Sequence, residues 1–117
     1  MGIRIKRVYE PPEASDGYRI LVDRLWPRGL KKEKAKIDLW MRDIAPSNEL
    51  RKWFGRDPKK WEEFKTRYFE ELDARRELAQ DIAERAQKEP VTLLYAKKDQ
   101  QYNNALCLKD YIEAKLR

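Results

Sequence analysis

Apolar positions fall into short strand-like runs at the two ends of the chain and into helix-spaced stripes between them. Ile3, Ile5 and Val8, separated by Arg4, Lys6 and Arg7, predict a partly solvated first strand that Glu10, Pro11 and Pro12 end. The polar stretch from Glu13 to Gly17, with its Ser-Asp-Gly turn chemistry, leads into Tyr18, Ile20, Leu21 and Val22. That β-prone run holds no turn residue, so it reads as a strand covered on both faces and extending from Tyr18 to Trp26. Pro27 closes it for want of an amide donor, and Gly29 permits a positive φ just beyond. The lysine-rich segment from Leu30 to Lys36 reads as a solvated turn or short helix. Ile37 to Met41 fits either period and is taken as extended, since Ala45, Pro46 and Ser47 stop it after few residues.

Helical spacing then takes over. Ser47 is the expected N-cap of a helix through Leu50, Trp53 and Phe54 that Gly55 closes. Asp57 and Pro58 start a longer helix with Trp61, Phe64, Tyr68 and Leu72 on one face. Such a stripe could stack on bases, but its helical spacing reads first as core. A second amphipathic helix points Leu78, Ile82, Ala83 and Ala86 inward and Arg75, Arg76, Arg85 and Lys88 to water. Pro90 introduces VTLLYA, residues 91 to 96, the second buried strand, and a closing helix buries Leu108, Tyr111, Ile112 and Leu116. Helices between strands imply parallel neighbours joined by right-handed crossovers. The pattern therefore predicts an α/β fold, a compact single domain over residues 1–117 with a small, mainly parallel sheet flanked by helices.

Composition narrows the chemistry. The 117 residues are 41% hydrophobic and 41% charged, which suits one core beneath a densely charged surface. The excess of 27 Lys and Arg over 21 Asp and Glu, a net +6, favours anionic partners, although the charges are interspersed and form no single-sign arm. There is no histidine, so the commonest general base and metal ligand are missing, and neither metal hydrolysis nor Ser-His-Asp catalysis is expected. The single cysteine, Cys107, cannot form an intrachain disulfide, and it reads as a small buried hydrophobe in the last helix rather than a nucleophile. The opening MGIRIKRVYEPP has no apolar leader, and nowhere do about 18 apolar residues run together, so a cytoplasmic protein without membrane contact is expected. Phosphate loops, dinucleotide fingerprints and metal-ligand spacings are missing too, and no cofactor is expected.

The candidate chemistry lies where the two buried strands end. In open α/β sheets ligands bind outside the carboxyl ends of the strands. If the two are parallel neighbours, Asp23, Arg24 and Arg28 from one meet Lys97, Lys98, Asp99, Asn103 and Asn104 from the other. Guanidinium forks and free helix-start amides suit an anionic ligand, phosphate-bearing or nucleotide-like. An enzymatic version would need Asp23 or Asp43 as acid or base. Three alternatives stay open: non-specific nucleic-acid binding by the lysine-rich surface, an interaction module without ligand, and an internal Asp-Arg salt-bridge network that merely closes the sheet.

The segments VDRLWPRG, APS-x-x-LRKWFG and LLYA-x-x-D-x-x-x-N-x-A, within a match covering nearly the whole chain, resemble the YeaO-like branch of domain-of-unknown-function family 488. The resemblance implies a compact bacterial or archaeal α/β domain and names no reaction. In the broader family the central strand ends in a V-D-V-R-like motif, here Val22, Asp23 and Arg24. Many relatives carry a Cys-His-Arg element after the later strand, where this chain reads Tyr102, Asn103, Asn104 and Ala105, so thiol chemistry does not carry over. The positions that match motif residues, and are the ligand-site candidates, are Asp23, Arg24, Trp26, Arg28, Asp43, Ser47, Asp99 and Asn104.

Overall fold

A computed structural model describes residues 2–116. Four strands form one sheet in the order β1-β4-β2-β3: β1 Ile3–Arg7, β2 Tyr18–Leu21, β3 Leu39–Trp40 and β4 Val91–Tyr95. Every neighbouring pair is parallel, with Ile5 and Ile20 flanking Leu93 on its two sides. The helices are α1 Lys32–Ala35, α2 Asn48–Phe54, α3 Trp61–Asp73, α4 Arg76–Ala86 and α5 Asn104–Lys115. The parallel α/β architecture read from the sequence is the one found.

Strand alternation divides the core into two unequal parts. Ile20, Val22, Val91, Leu93 and Tyr95 face a large cluster built with α2, α3, α4 and α5, including Phe54, Phe64, Tyr68, Ile82, Leu108 and Tyr111. On the opposite face Val8, Leu21 and Leu94 are covered by Trp26, Leu30, Ile37 and Trp40. That cover is mostly irregular chain, since α1 is a single turn. The predicted aromatic stripe is core in its Phe64, Tyr68 and Leu72 positions, while Trp61 is half-buried and stacks on Phe64 at 5.5 Å. The fully buried Tyr68 hydroxyl donates to Ile44 O at 2.6 Å, meeting the requirement for a partner in the interior.

The strand expected over Tyr18 to Trp26 ends at Leu21. Val22 still donates its amide to Leu94 O at 3.1 Å. At the next position the Asp23 carboxylate, Oδ2, accepts the Ala96 amide at 2.9 Å. A side chain thus replaces a ladder carbonyl, which frees the backbone to leave the sheet; Pro27 and Gly29, the latter at φ 76°, then turn it across the second face.

At the amino end of β2 lies an ion network that the sequence reading passes over as a turn. Asp16 and Arg19, only 3% and 4% exposed, pair through Arg19 Nη1 and Asp16 Oδ2 at 2.5 Å. Lys6 Nζ reaches the same oxygen at 3.1 Å. Arg19 also donates to Ala35 O at 2.9 Å and Lys36 O at 3.0 Å, anchoring the far end of the covering segment. The chain can enter β2 this close to β4 only because Gly17 lacks a side chain: a Cβ there would sit 2.1 Å from Pro90 O, at a φ of 67°.

Candidate functional site

Asp23 is the hinge of the carboxyl edge. Besides the Ala96 amide on its side chain, its backbone carbonyl accepts Trp40 Nε1 at 2.8 Å. Asn104, the first residue of α5, donates Nδ2 to the neighbouring Val22 O at 3.0 Å. Asn103 caps α5 by accepting the Leu106 amide at 2.8 Å. Arg7 holds the outgoing β4 chain through Ala96 O at 3.0 Å and Lys97 O at 3.2 Å. The tips of β2 and β4 and the start of α5 are therefore locked together.

In front of this edge opens a cavity of about 700 Å³, lined in part by Asp23, Arg24, Trp26, Arg28 and Asn104. Arg24 reaches sideways, donating to Ala45 O at 3.3 Å, and so links the edge to the approach to α2. Trp26 is held by its Nε1 donation to Leu30 O at 2.7 Å and by an edge contact with Trp40 at 5.5 Å. The Tyr9 hydroxyl donates to Arg28 O at 2.8 Å and fixes the backbone from which the exposed Arg28 side chain projects. No Asp-Arg ion pair closes the edge: among the described residues Asp23 forms none, and the internal salt-bridge network expected there as an alternative is not the arrangement found.

Three other candidates lie outside the cavity lining, each with a structural partner. Ser47 caps α2 by accepting the Leu50 amide at 3.1 Å and donates its hydroxyl to Glu71 Oε2 at 2.6 Å. Asp43 is exposed, and its backbone carbonyl accepts from Arg75. Asp99 accepts the Gln101 and Tyr102 amides at 2.9 and 3.0 Å, which hold its carboxyl below the ordinary range and shape the loop into α5.

Four cations that were not among the motif-based candidates line the same cavity: Arg51, Lys52, Arg56 and Lys97. Arg51 and Lys52 sit on the outer side of α2, whose inner side buries Leu50 and Phe54. Arg56 follows the helix-closing Gly55 in a left-handed conformation, φ 73°. A pointer was present in the sequence, because two of these basic residues lie within a short helix whose buried residues are Leu50 and Phe54, and the third follows its closing glycine. Lys97 lies 4.7 Å from the centre of the Phe54 ring, and its burial there lowers its ammonium pKa although Asp99 opposes the shift.

The lining thus includes six cationic residues, Arg24, Arg28, Arg51, Lys52, Arg56 and Lys97, and a single acidic one, Asp23. Burial pushes the Asp23 carboxyl above its ordinary value, while the Ala96 amide, the Asn104 amide and the Arg51 charge pull it back. Tyr9, Trp26, Phe54, Phe64 and Tyr102 supply flat apolar surface between the charges. Cys107 is fully buried in α5 and burial raises its thiol pKa, consistent with packing rather than reaction. Among the described residues no cluster of ligating side chains could hold a metal ion, and no helix is long and apolar enough to cross a membrane.

Over residues 2–117 the chain matches the family DUF488-N3i, described as the inactive DUF488-N3 subclade. It is 46% identical over 114 residues to the uncharacterized protein YeaO of Escherichia coli, covering 97% of this chain and 99% of that one. It is 47% identical over 70 residues to the uncharacterized protein Rv3073c of Mycobacterium tuberculosis, covering 60% of this chain and 59% of that one. The uncharacterized protein Mb3100c of Mycobacterium bovis gives the same figures, 47% over 70 residues. No solved structure matches the chain significantly.

Proposed function

This chain belongs to the DUF488-N3i family, and from that premise we propose that it binds a small phosphate-bearing anion, without transforming it, at the carboxyl edge of its sheet. One observation carries the reading: six cationic residues and one acidic residue line a single cavity of about 700 Å³. Like charges gathered around a concave, partly apolar space repel one another when it is empty, and an anion relieves that repulsion. Arginine forks suit phosphate oxygens in particular. Binding rather than catalysis is supported by the family's description as inactive. It is supported also by a chain without histidine whose one thiol is buried away from the cavity.

The test is isothermal titration of the protein with inorganic phosphate, pyrophosphate and a set of nucleotides and sugar phosphates, beside Arg28→Ala and Arg56→Ala. Both side chains are exposed and neither makes a side-chain hydrogen bond within the fold among the described residues, so the variants keep the structure. Each is expected to weaken binding several-fold, and added salt to weaken it further, as partly exposed charge contacts do. Equal binding by all three proteins, or binding by none, refutes the assignment.

A further inference from the structure

A carboxylate among six cations is poor design for a bare anion. The charge of Asp23 opposes any phosphate entering the cavity, and its burial costs folding energy as well. Its Oδ2 is taken by the Ala96 amide at 2.9 Å. The Asn104 amide, which donates to Val22 O at 3.0 Å, lies beside the carboxylate and acts on it as a second donor; Asp23 forms no ion pair among the described residues, and a carboxylate, with about four lone-pair sites, keeps acceptor capacity beyond these two donors. The rigid frame of Trp40, Ala96 and Asn104 holds the group facing the cavity, so it cannot swing away from a ligand. A cavity of about 700 Å³ is also far larger than an inorganic oxyanion requires, and lies within the range of sites for organic ligands of roughly 300–1,000 Å³.

On the basis of the anion-binding reading, we infer that Asp23 is a specificity residue selecting phosphate esters whose organic body carries hydroxyl or amino donors, and rejecting bare phosphate. The cations hold the phosphate, Trp26 and Tyr102 flank the body, and the remaining acceptor capacity of the Asp23 carboxylate takes a donor from it. A ligand with a matching donor gives the carboxylate a further charge-assisted hydrogen bond; one without it sets a partly buried negative charge beside an anion with nothing between them. Discrimination therefore arises as much from repulsion of the wrong ligand as from attraction of the right one.

Titration of the intact protein and of Asp23→Asn with three probes tests this: ribose 5-phosphate, cyclopentylmethyl phosphate, which is similar in shape but has no hydroxyl, and inorganic phosphate. The Asn side chain keeps an oxygen for the Ala96 amide, so the edge is retained. The wild-type protein is expected to prefer ribose 5-phosphate over the hydroxyl-free ester by at least about tenfold, the worth of a hydrogen bond to a charged group. Asp23→Asn is expected to lose most of that preference and to bind inorganic phosphate more tightly. Equal wild-type affinity for the two esters overturns the selectivity but leaves the anion site standing. So does a preference that survives in Asp23→Asn, or inorganic phosphate binding that does not tighten. If the wild type binds none of the three probes, the anion site itself falls and the selectivity with it. The wild-type comparison decides the matter even should the variant fold poorly.

Discussion

Asp16→Asn is the most informative change away from the cavity, because it removes one charge from a buried network and alters little else in shape. In the native protein the carboxylate accepts from Arg19 at 2.5 Å, Lys6 at 3.1 Å and the Glu13 amide at 3.0 Å. Asparagine can still accept the Glu13 amide, but Arg19, 4% exposed, is left as a buried cation facing neutral groups. Lys6 keeps Glu13 at 3.0 Å, so the loss falls mainly on Arg19. Breaking one side of a buried pair typically costs about 3–5 kcal/mol, and that is the expected loss. Arg19→Met should cost a similar amount, since it also strands the Ala35 and Lys36 carbonyls. The double variant has no isolated charge and should lose less than the sum of the two single losses by at least about 1 kcal/mol. Urea unfolding followed by the fluorescence of the four tryptophans reads all three variants. Burial alone would raise the Asp16 pKa, but the Glu13 amide, Lys6 and Arg19 outweigh it and hold it below 3.8. Its stabilisation is therefore fully present above that pH and lost as pH falls through the lower folded-state value, a loss that Asp16→Asn should not show. Single losses under about 1 kcal/mol, or additivity within about 0.5 kcal/mol, would refute the assignment of this network as a structural clamp.

Two further outcomes follow from buried groups elsewhere. Tyr68→Phe removes the 2.6 Å bond to Ile44 O and leaves that carbonyl dry, at a cost of about 1–3 kcal/mol in denaturant unfolding. Asp23 titrates in the opposite sense from Asp16: its raised folded pKa makes stability fall as pH climbs from 3.8 through the folded value and stay level above it. Asp23→Asn should remove that fall and be the more stable protein at neutral pH; a less stable variant in thermal melts at pH 7 would contradict the burial argument.

The periodicity of the sequence was enough for the architecture. Two short apolar runs, Tyr18 to Val22 and Val91 to Ala96, separated by helix-spaced stripes, leave few alternatives to a parallel sheet with crossovers, since such runs need cover on both faces and long connections to reach one another. Local chemistry marked the caps as well: Ser47 and Gly55 act within a few residues of the amides and carbonyls they serve, and so could be read in sequence order. The end of β2 could not be read that way. Whether Val22 to Trp26 continues as strand depends on the Asp23 carboxylate finding the Ala96 amide, 73 residues away.

The same separation in the chain explains which charges proved hard to assign. Asp16 and Arg19 look like turn polars in sequence and become a buried clamp only when Lys6 and the 35–36 carbonyls close around them. Asp99 and Ser47 carry motif positions, yet their polar atoms are spent on nearby amides and on Glu71, which only their three-dimensional neighbours reveal. Arg51 and Lys52 belong by periodicity to the solvent face of a short helix, and Arg56 follows its closing glycine. They share a cavity with Asp23 because α2 packs where β2 and β4 end. Periodicity records which side of an element faces the core, whereas a site is made where different elements turn their polar sides toward one another, and only packing sets that meeting point.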